Sequence, residues 1–477
     1  MGKKIAIEPV TRIEGHARVT IHVDDDGKVE NAYLHIDQFR GFEKFSEGRM
    51  YYEMPQITPR ICGICPVSHH LGSAKACDAV SGIEPPRTAS LLRELMHMGQ
   101  TIQSHAMHFF HLAGPDLLFS FDADPKIRNV IGIVQVNPTL ATKAVMLRKF
   151  GQEIIKTLGG KKIHPVFAVA GGVNNVLTEE ERDTILKDMD EHIAFIQQGI
   201  EIAKRWVRDN METVETFAVF PTGYMGLVKE DGALELYEGK IRLIGPEGEP
   251  WELFDPSDYL EYIGEHVEDW SYLKFPFYKK LGYPDGVYRV GPLGRLNVAD
   301  KISTPLANEE FKNFKAINEG KPVEGSLWYH YARLIETLYA MERVKELLDD
   351  PDILSNDIRA YGGELQSEGV GCVEAPRGTL LHHYKVDEGG KLLKVNLIIA
   401  TGHNNWAMSK SVDDVAKQYV DGNNLTEGML NRVEVAIRAY DPCLSCSTHA
   451  LGKMPIILEM YDKDGNLLDQ ITRDSKE

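Results

Sequence analysis

Between about Arg87 and Leu112 the apolar residues Leu91, Leu95, Met98, Ile102 and Phe109 recur at helical spacing, and Gly114-Pro115 reads as the stop. Leu140, Leu147, Ile154 and Leu158 mark a second helix that ends at Gly159-Gly160. Thr178 and Glu181 form a capping box ahead of a third, carried by Ile185, Met189, Ile193, Ile196 and Ile200. Leu327, Tyr331, Leu334, Leu338, Met341 and Leu348 give the longest and cleanest stripe. Helices of this length bury such stripes against one another, which predicts a bundle. Elsewhere the period falls to two. Val19, Ile21 and Val23 alternate with polar residues, Asp26-Gly27 turns the chain, and Val29 to Ile36 returns. Further strands are predicted at Leu392 to Ala400, and at Ile456 to Tyr461 and Leu467 to Ile471 around Asp464-Gly465. Residues 220–325 are rich in Gly, Pro and aromatics, with a hairpin from Lys240 to Leu253 around Gly245-Pro246-Glu247-Gly248.

These patterns predict an α+β chain, mainly α, with a long-helix bundle at its core and small antiparallel sheets and hairpins at the periphery. No repeat or linker divides it, so residues 1–477 read as one unit. Within it, 1–60 is a sheet region, 61–219 and 326–350 are the bundle, and 220–325 is an irregular insert. A C-terminal region spans 351–449, and an extension spans 450–477.

Composition narrows the function. With 477 residues, 43% of them hydrophobic, the chain can bury a large core. Its net charge of -18, with no basic block, argues against nucleic acid and anionic lipid. No signal peptide and no apolar run of membrane-spanning length is present, so the expected setting is cytoplasmic with no direct membrane span. In a reducing compartment, paired cysteines are metal ligands or redox groups more often than disulfides.

Four of the six cysteines form two matched pairs at opposite ends of the chain. Arg60-Ile61-Cys62-Gly63-Ile64-Cys65 is followed by His69, and Asp441-Pro442-Cys443-Leu444-Ser445-Cys446 by His449. Structural zinc sites usually staple a short module, whereas these pairs are separated by most of the chain. Thioredoxin-type pairs would each follow a strand and open a helix in a βαβ unit, a context missing here. A buried four-thiolate site for a soft, redox-capable transition metal or metal pair is the stronger reading. Cys77 and Cys372 read as buried free thiols, too few to hold an iron–sulfur cluster.

The two Cys motifs resemble the signatures of the large subunit of nickel–iron hydrogenases. Four further stretches share the resemblance in the same order: Arg12-Ile13-Glu14-Gly15-His16, Phe39-Arg40-Gly41-Phe42-Glu43, His105 to His111, and Glu374-Ala375-Pro376-Arg377-Gly378. The length and the Leu-Ser-Cys-Ser-Thr-His-Ala junction resemble the cytoplasmic methanogen-type, methyl-viologen-reducing branch, which does not reduce deazaflavin. Ser104 departs from the pattern, since many relatives carry Asp there.

The resemblance implies reversible heterolytic cleavage of dihydrogen. Cys62, Cys65, Cys443 and Cys446 are then expected to bind nickel, with Cys65 and Cys446 shared by an iron that carries cyanide and carbon monoxide ligands. Cys443 is the expected first proton acceptor and Glu14 the relay. Arg377 is expected to place a fixed cation over the iron, with Pro376 shaping the same wall; an ordinary surface salt bridge is the plainer alternative. Thr401 is expected as a hydroxyl donor to cyanide, or else as a plain strand-end Thr. Asp441 braces Arg377 or simply forms the Asp-Pro turn. Glu43 and His449 are expected magnesium ligands, Glu43 alternatively being a solvated loop carboxylate. His69 and His16 are expected as hydrogen-bonding partners around the thiolates.

Electrons must leave through another chain. The resemblance implies an obligate iron–sulfur small subunit bound around Glu14 and Cys65, then a further iron–sulfur protein and a heterodisulfide reductase. The alternatives are a deazaflavin-reducing or NAD-linked large subunit, a non-catalytic dihydrogen sensor and a respiratory scaffold subunit. The scaffold relative lacks the thiol pairs. The resemblance also implies removal of residues 450–477 by cleavage after His449 once nickel is inserted.

Overall fold

The computed structural model describes residues 3–448, 456–461 and 467–473. A bundle of four long helices forms the centre: α2 (Arg87–Met107), α3 (Pro138–Gly159), α4 (Met189–Asp209) and α5 (Tyr329–Asp349), preceded by α1 (Pro66–Ser81). α2 packs on α3 and α5, and α5 packs on α4. Leu91, Leu95, Met98 and Ile102 all point inward, as their spacing requires. α5 is buried on nearly every side, including Arg333 and Glu336, so it is the bundle's central rod rather than an outer amphipathic helix.

Two helix boundaries differ from the sequence reading. α2 does not stop at Gly114-Pro115 but runs on through a π-helical stretch, His108–Ala113, into a short helix, Gly114–Phe119. Pro115 lies in the first turn of that short helix, where its missing N–H costs no internal hydrogen bond. The Thr178 capping box is present, with Thr178 N donating to Glu181 Oε2 at 3.0 Å and Glu181 N to Thr178 Oγ1 at 3.3 Å. It opens only the short Glu179–Leu186 helix, however, and α4 starts afresh at Met189.

The N-terminal sheet has three antiparallel strands, β1 (Lys3–Ile7), β2 (Arg18–Val23) and β3 (Val29–His35); β1 is an edge strand that its mixed pattern hid. The stretch expected to be irregular carries a four-stranded sheet of β4 (Gly223–Val228), β5 (Lys240–Ile244), β6 (Pro250–Phe254) and β7 (Tyr288–Arg289), in the order β7-β4-β5-β6. β7 and β4 run parallel. A third sheet joins β8 (Glu368–Ala375), β9 (Gly378–Val386) and β10 (Leu392–Ile398), all antiparallel. α1 lies on it so closely that a Cβ at Gly371 would come within 2.1 Å of Gly72 O. The tail strands Ile456–Tyr461 and Leu467–Arg473 pair as a hairpin, and their turn at Asp464-Gly465 falls outside the described residues. Among the described residues no helix is long and apolar enough to cross a membrane.

Candidate metal centre

The two Cys pairs meet. Cys62 follows a 3-10 turn, Thr58–Ile61, and Cys65 is the N-cap of α1, with Pro66 as its first helical residue. Cys443 precedes a single helical turn, Leu444–Ser447, that carries Cys446. A three-residue step on a tight turn brings both sulfurs of a pair to one side. Sγ–Sγ separations are 2.9 Å for Cys443–Cys446, 3.2 Å for Cys65–Cys446, 3.3 Å for Cys62–Cys443 and 3.8 Å for Cys65–Cys443. All four thiols are free, and all are buried to within 4% of full exclusion. Among the described residues they form the one cluster of ligand atoms that lie within 4.8 Å of each other.

That donor set fits a soft metal. Disulfide sulfurs would be about 2.05 Å apart, and four thiolates placed tetrahedrally around one ion at about 2.3 Å would stand roughly 3.8 Å from each other; the separations here lie between the two, at 2.9–3.8 Å. Burial pushes the Cys443 and Cys446 thiols well up, while hydrogen bonds from Cys443, Cys446 and Cys65 hold Cys62 well below its ordinary value. The protein by itself therefore does not sustain four thiolates here, and a bound cation would supply the missing charge.

Distant segments hold the loops in register. Arg40 donates from its guanidinium to the carbonyls of Ile61 and Arg60 and from its backbone N to Thr448 O, so it clamps one Cys loop to the other. Gln100 and Gln103 both donate to Ile64 O, at 2.9 and 2.7 Å. On the C-terminal side Glu14 pairs with Cys443 as a short parallel bridge: Leu444 N donates to Glu14 O at 3.0 Å and Ser445 N to Glu14 Oε2 at 3.1 Å. Gly15 has φ +84°, and a Cβ there would lie 2.8 Å from Leu444 Cβ, so this approach demands glycine. Thr401 Oγ1 accepts the N–H of Cys443 at 2.9 Å, which leaves its own hydroxyl proton free to donate.

Arg377 sits in the tight turn between β8 and β9, just after Pro376, 2% exposed. Its Nε donates to Asp441 O at 2.6 Å and Nη2 to Asp441 Oδ1 at 2.9 Å; Nη1 reaches Ser104 Oγ only at 3.4 Å. The surface salt bridge is thereby excluded for Arg377. Asp441 itself adopts φ 54°, a left-handed conformation that a non-glycine residue holds at a cost of about 1–3 kcal/mol, and its Oδ2 is buried without a hydrogen bond. A second, wholly buried network supports the Arg377 turn. Arg295 donates to both oxygens of Glu336, to Glu374 Oε2 and to the carbonyls of Ala375 and Pro376. His105 meets Glu336 at 3.0 Å. Burial works against the Glu336 carboxylate, but Arg295 outweighs it and holds the group at about 2.

The remaining expected residues divide. His69 Nε2 is 3.4 Å from Cys446 Sγ. His16, by contrast, is exposed, with no hydrogen bond to the four thiols, because the Gly15 turn that brings Glu14 inward throws it outward. Glu43 lies apart from the cluster, half-buried, with Oε1 accepting from Leu397 N at 2.7 Å on the strand that leads to Thr401. His449 falls outside the described residues. Sequence reasoning missed Gln100, Gln103, Arg295 and Glu336, none of which stands in a Cys motif. Arg40 and Glu374 do stand within motifs, yet nothing in the spacing signals the contacts they make.

Both Cys pairs fall within stretches that match nickel-dependent hydrogenases, and this chain belongs to that family. Its nickel-dependent hydrogenase signature spans residues 40–127 and 226–449, and a HoxL-like signature spans 4–39. Within the family it is a catalytic large subunit of a heteromeric oxidoreductase acting on dihydrogen. It is 46% identical over 492 residues to the beta subunit of the NAD-reducing hydrogenase HoxS of Cupriavidus necator, covering 99% of this chain and 100% of that one. It is 50% identical over 414 residues to the vhu F420-non-reducing hydrogenase subunit of Methanocaldococcus jannaschii, covering 87% and 99%. An NAD+-reducing nickel–iron hydrogenase solved in the H2-reduced state matches with a TM-score of 0.91 at 45% identity, over 94% of this chain and 99% of that chain.

Proposed function

We propose that Cys62, Cys65, Cys443 and Cys446 hold nickel, with Cys65 and Cys446 shared by an iron carrying cyanide and carbon monoxide. The convergence of four buried, unbonded sulfurs from two distant loops carries this reading. When bound, the metal pair supplies the heterolytic activation of dihydrogen and takes up its electrons. Around it the protein does the rest. Arg377, anchored twice on Asp441, holds a positive charge over the site, and the Thr401 hydroxyl, positioned by Cys443 N, donates toward a ligand nitrogen. Pro376 walls the same side.

Cys443 Sγ receives the proton and Glu14 takes it outward. Glu14 lies along the Cys443–Ser445 backbone and is half-buried, so it spans from the thiols toward solvent. Glu14→Gln keeps the oxygen that Ser445 N bonds but cannot relay a proton. The expected outcome is full nickel and iron content with hydrogen–deuterium exchange lowered by about 10²-fold or more, and full exchange would remove Glu14 from the relay. Glu43 and His449 are assigned to magnesium in the same reading.

The exposed Gly63 and half-buried Ile64 place the thiols just beneath the surface, where an iron–sulfur small subunit can dock beside Glu14 and collect the electrons. From there the proposed route, in the cytoplasm, runs through a second iron–sulfur protein to heterodisulfide reductase, supported by likeness to F420-non-reducing enzymes at 50% and 47% identity. A second reading has NAD+ as acceptor, favoured by the HoxS likeness along 99% of the chain. Dihydrogen-dependent NAD+ reduction by the purified complex decides between them.

A further inference from the structure

Arg333, near the start of α5, is a fully buried cation that makes no ion pair. Its guanidinium has five donors, and they meet only two acceptors, both backbone carbonyls: Nη1 donates to Tyr329 O at 3.3 Å and Nη2 to Ala439 O at 3.1 Å. Nε is buried with no hydrogen bond. Among the described residues no carboxylate oxygen lies within 4.0 Å of its nitrogens, and Glu336, three positions on, is engaged through both oxygens by Arg295. The other deeply buried arginines are satisfied. Arg93, Arg295, Arg377 and Arg438 are each paired with one or two carboxylates, and Arg289 fills its donors on four oxygens. A guanidinium taken from water without a partner is costly, so its place in the core asks for a reason.

One reason is local. The helix Glu427–Arg438 ends at Ala439, whose carbonyl lacks a partner within the helix, and Arg333 caps it with a cation. A neutral donor would do as much. The other reason lies two residues on, at the left-handed Asp441. Arg377 takes the Asp441 carbonyl and Oδ1, while Oδ2 is buried without a hydrogen bond. Burial pushes Asp441 up, and after Arg377 the charge that most opposes this is Arg333. Burial lowers Arg333 in turn to about 10, with Asp441 the chief charge acting the other way and Arg377 the next one it feels; it stays a cation at neutral pH. Two buried guanidinia therefore flank one carboxylate. Ser104, the remaining polar contact of Arg377, brings no second negative charge.

We propose that Arg333 is a positioning residue for the metal centre, holding the Ala439–Asp441 turn that leads into Cys443 and adding a second fixed cation to the field that Arg377 sets on the bound metal pair. This rests on the reading of the four thiols as metal ligands. Charges in a dry interior are weakly screened, so the field of Arg333 reaches past its own contacts. A fixed cation raises the reduction potential of a nearby metal and draws electron density from the iron, which leaves less to weaken its carbon monoxide and cyanide bonds.

The test compares the assembled, metal-loaded wild-type complex with Arg333→Gln, which loses the charge but keeps a donor for Ala439 O, and Arg333→Lys, which keeps the charge but loses the planar fork. Nickel and iron content, the midpoint potential of the centre and the infrared bands of its iron ligands are read on each. Arg333→Gln is expected to retain both metals, to shift the midpoint potential negative and to move the carbon monoxide and cyanide bands to lower frequency. Arg333→Lys is expected to bring both readings most of the way back. Unmoved potential and bands in a loaded Arg333→Gln complex would reduce Arg333 to a helix cap and overturn the proposal, as would equal shifts in the two variants. Should Arg333→Gln not load its metals, Arg333→Lys decides: retained metals support the role of the charge, and equal loss overturns it. Wild-type complex without nickel would overturn the ligand reading itself, a failure visible before any variant is made.

Discussion

The two cysteine pairs carry the same four-residue motif and are built in opposite ways. Cys65 caps a 16-residue helix, and Cys62 hangs from the turn just before it, so the N-terminal pair inherits its geometry from local structure. Cys446 rides on a four-residue turn that follows a left-handed Asp441, and nearly everything fixing that turn comes from far along the chain. Glu14, Thr401, Arg377 and Arg40 supply the contacts, and Cys62 and Cys443 lie 381 residues apart. Closing so long a loop costs entropy that only the finished body repays. One half of the site is preformed, and the other is assembled onto it.

The largest expected effect ignores this difference. Cys65→Ser and Cys443→Ser each remove a thiolate that no neighbour replaces, and both should abolish dihydrogen exchange and lose nickel, measured by exchange assay and metal analysis. Equal loss from either end says that the halves serve one centre; loss from one alone would break the comparison into two sites.

Gly15→Ala separates the halves. The new methyl needs a left-handed backbone and meets Leu444 Cβ at 2.8 Å, so it strikes only the assembled loop. A strain of about 1–3 kcal/mol should appear as reduced metal content per chain, with the thermal midpoint of the bundle lowered by a few degrees at most. A collapse of the whole fold would show that the C-terminal turn is as integral as α1.

The capping box at Thr178, the four helical stripes and the two Cys pairs were legible in the sequence because each is written in adjacent residues. β8 and β9 were not, although the turn between them carries Arg377. Both are buried along almost their whole length, so the alternation that marks a strand is absent. Gly114-Pro115 misled because a Pro in a first turn continues a rod as easily as it ends one. His16 shares a motif with Glu14, but one left-handed glycine, Gly15, stands between them, and His16 is exposed. The clamps at Arg40 and Arg295 join segments that only the fold brings together, and no spacing rule reaches them.

A further effect is graded with pH and belongs to the preformed side. His70 on α1 and His97 and His105 on α2 are buried, and burial lowers each to about 4. Their unfolded value is near 6.5, so the unfolded chain binds more protons between those limits and stability rises with pH there. The stability is fully present above about pH 6.5 and is lost as pH falls toward 4, by about 1.4 kcal/mol per histidine per unit crossed. Thermal melts from pH 7.5 down to 5 should show a falling midpoint, with amide exchange on α1 and α2 rising first. A flat profile would mean that these imidazoles do not change protonation on unfolding.

The central claim is that both ends of the chain build one nickel–iron site. Elemental analysis of the complex purified anaerobically, with Cys443→Ser processed beside it, addresses this most directly. The account predicts nickel in the wild type at about one per chain, iron above the partner subunits' own complement, and no nickel in the variant. Zinc without nickel in the wild type, or nickel retained in the variant, would contradict it.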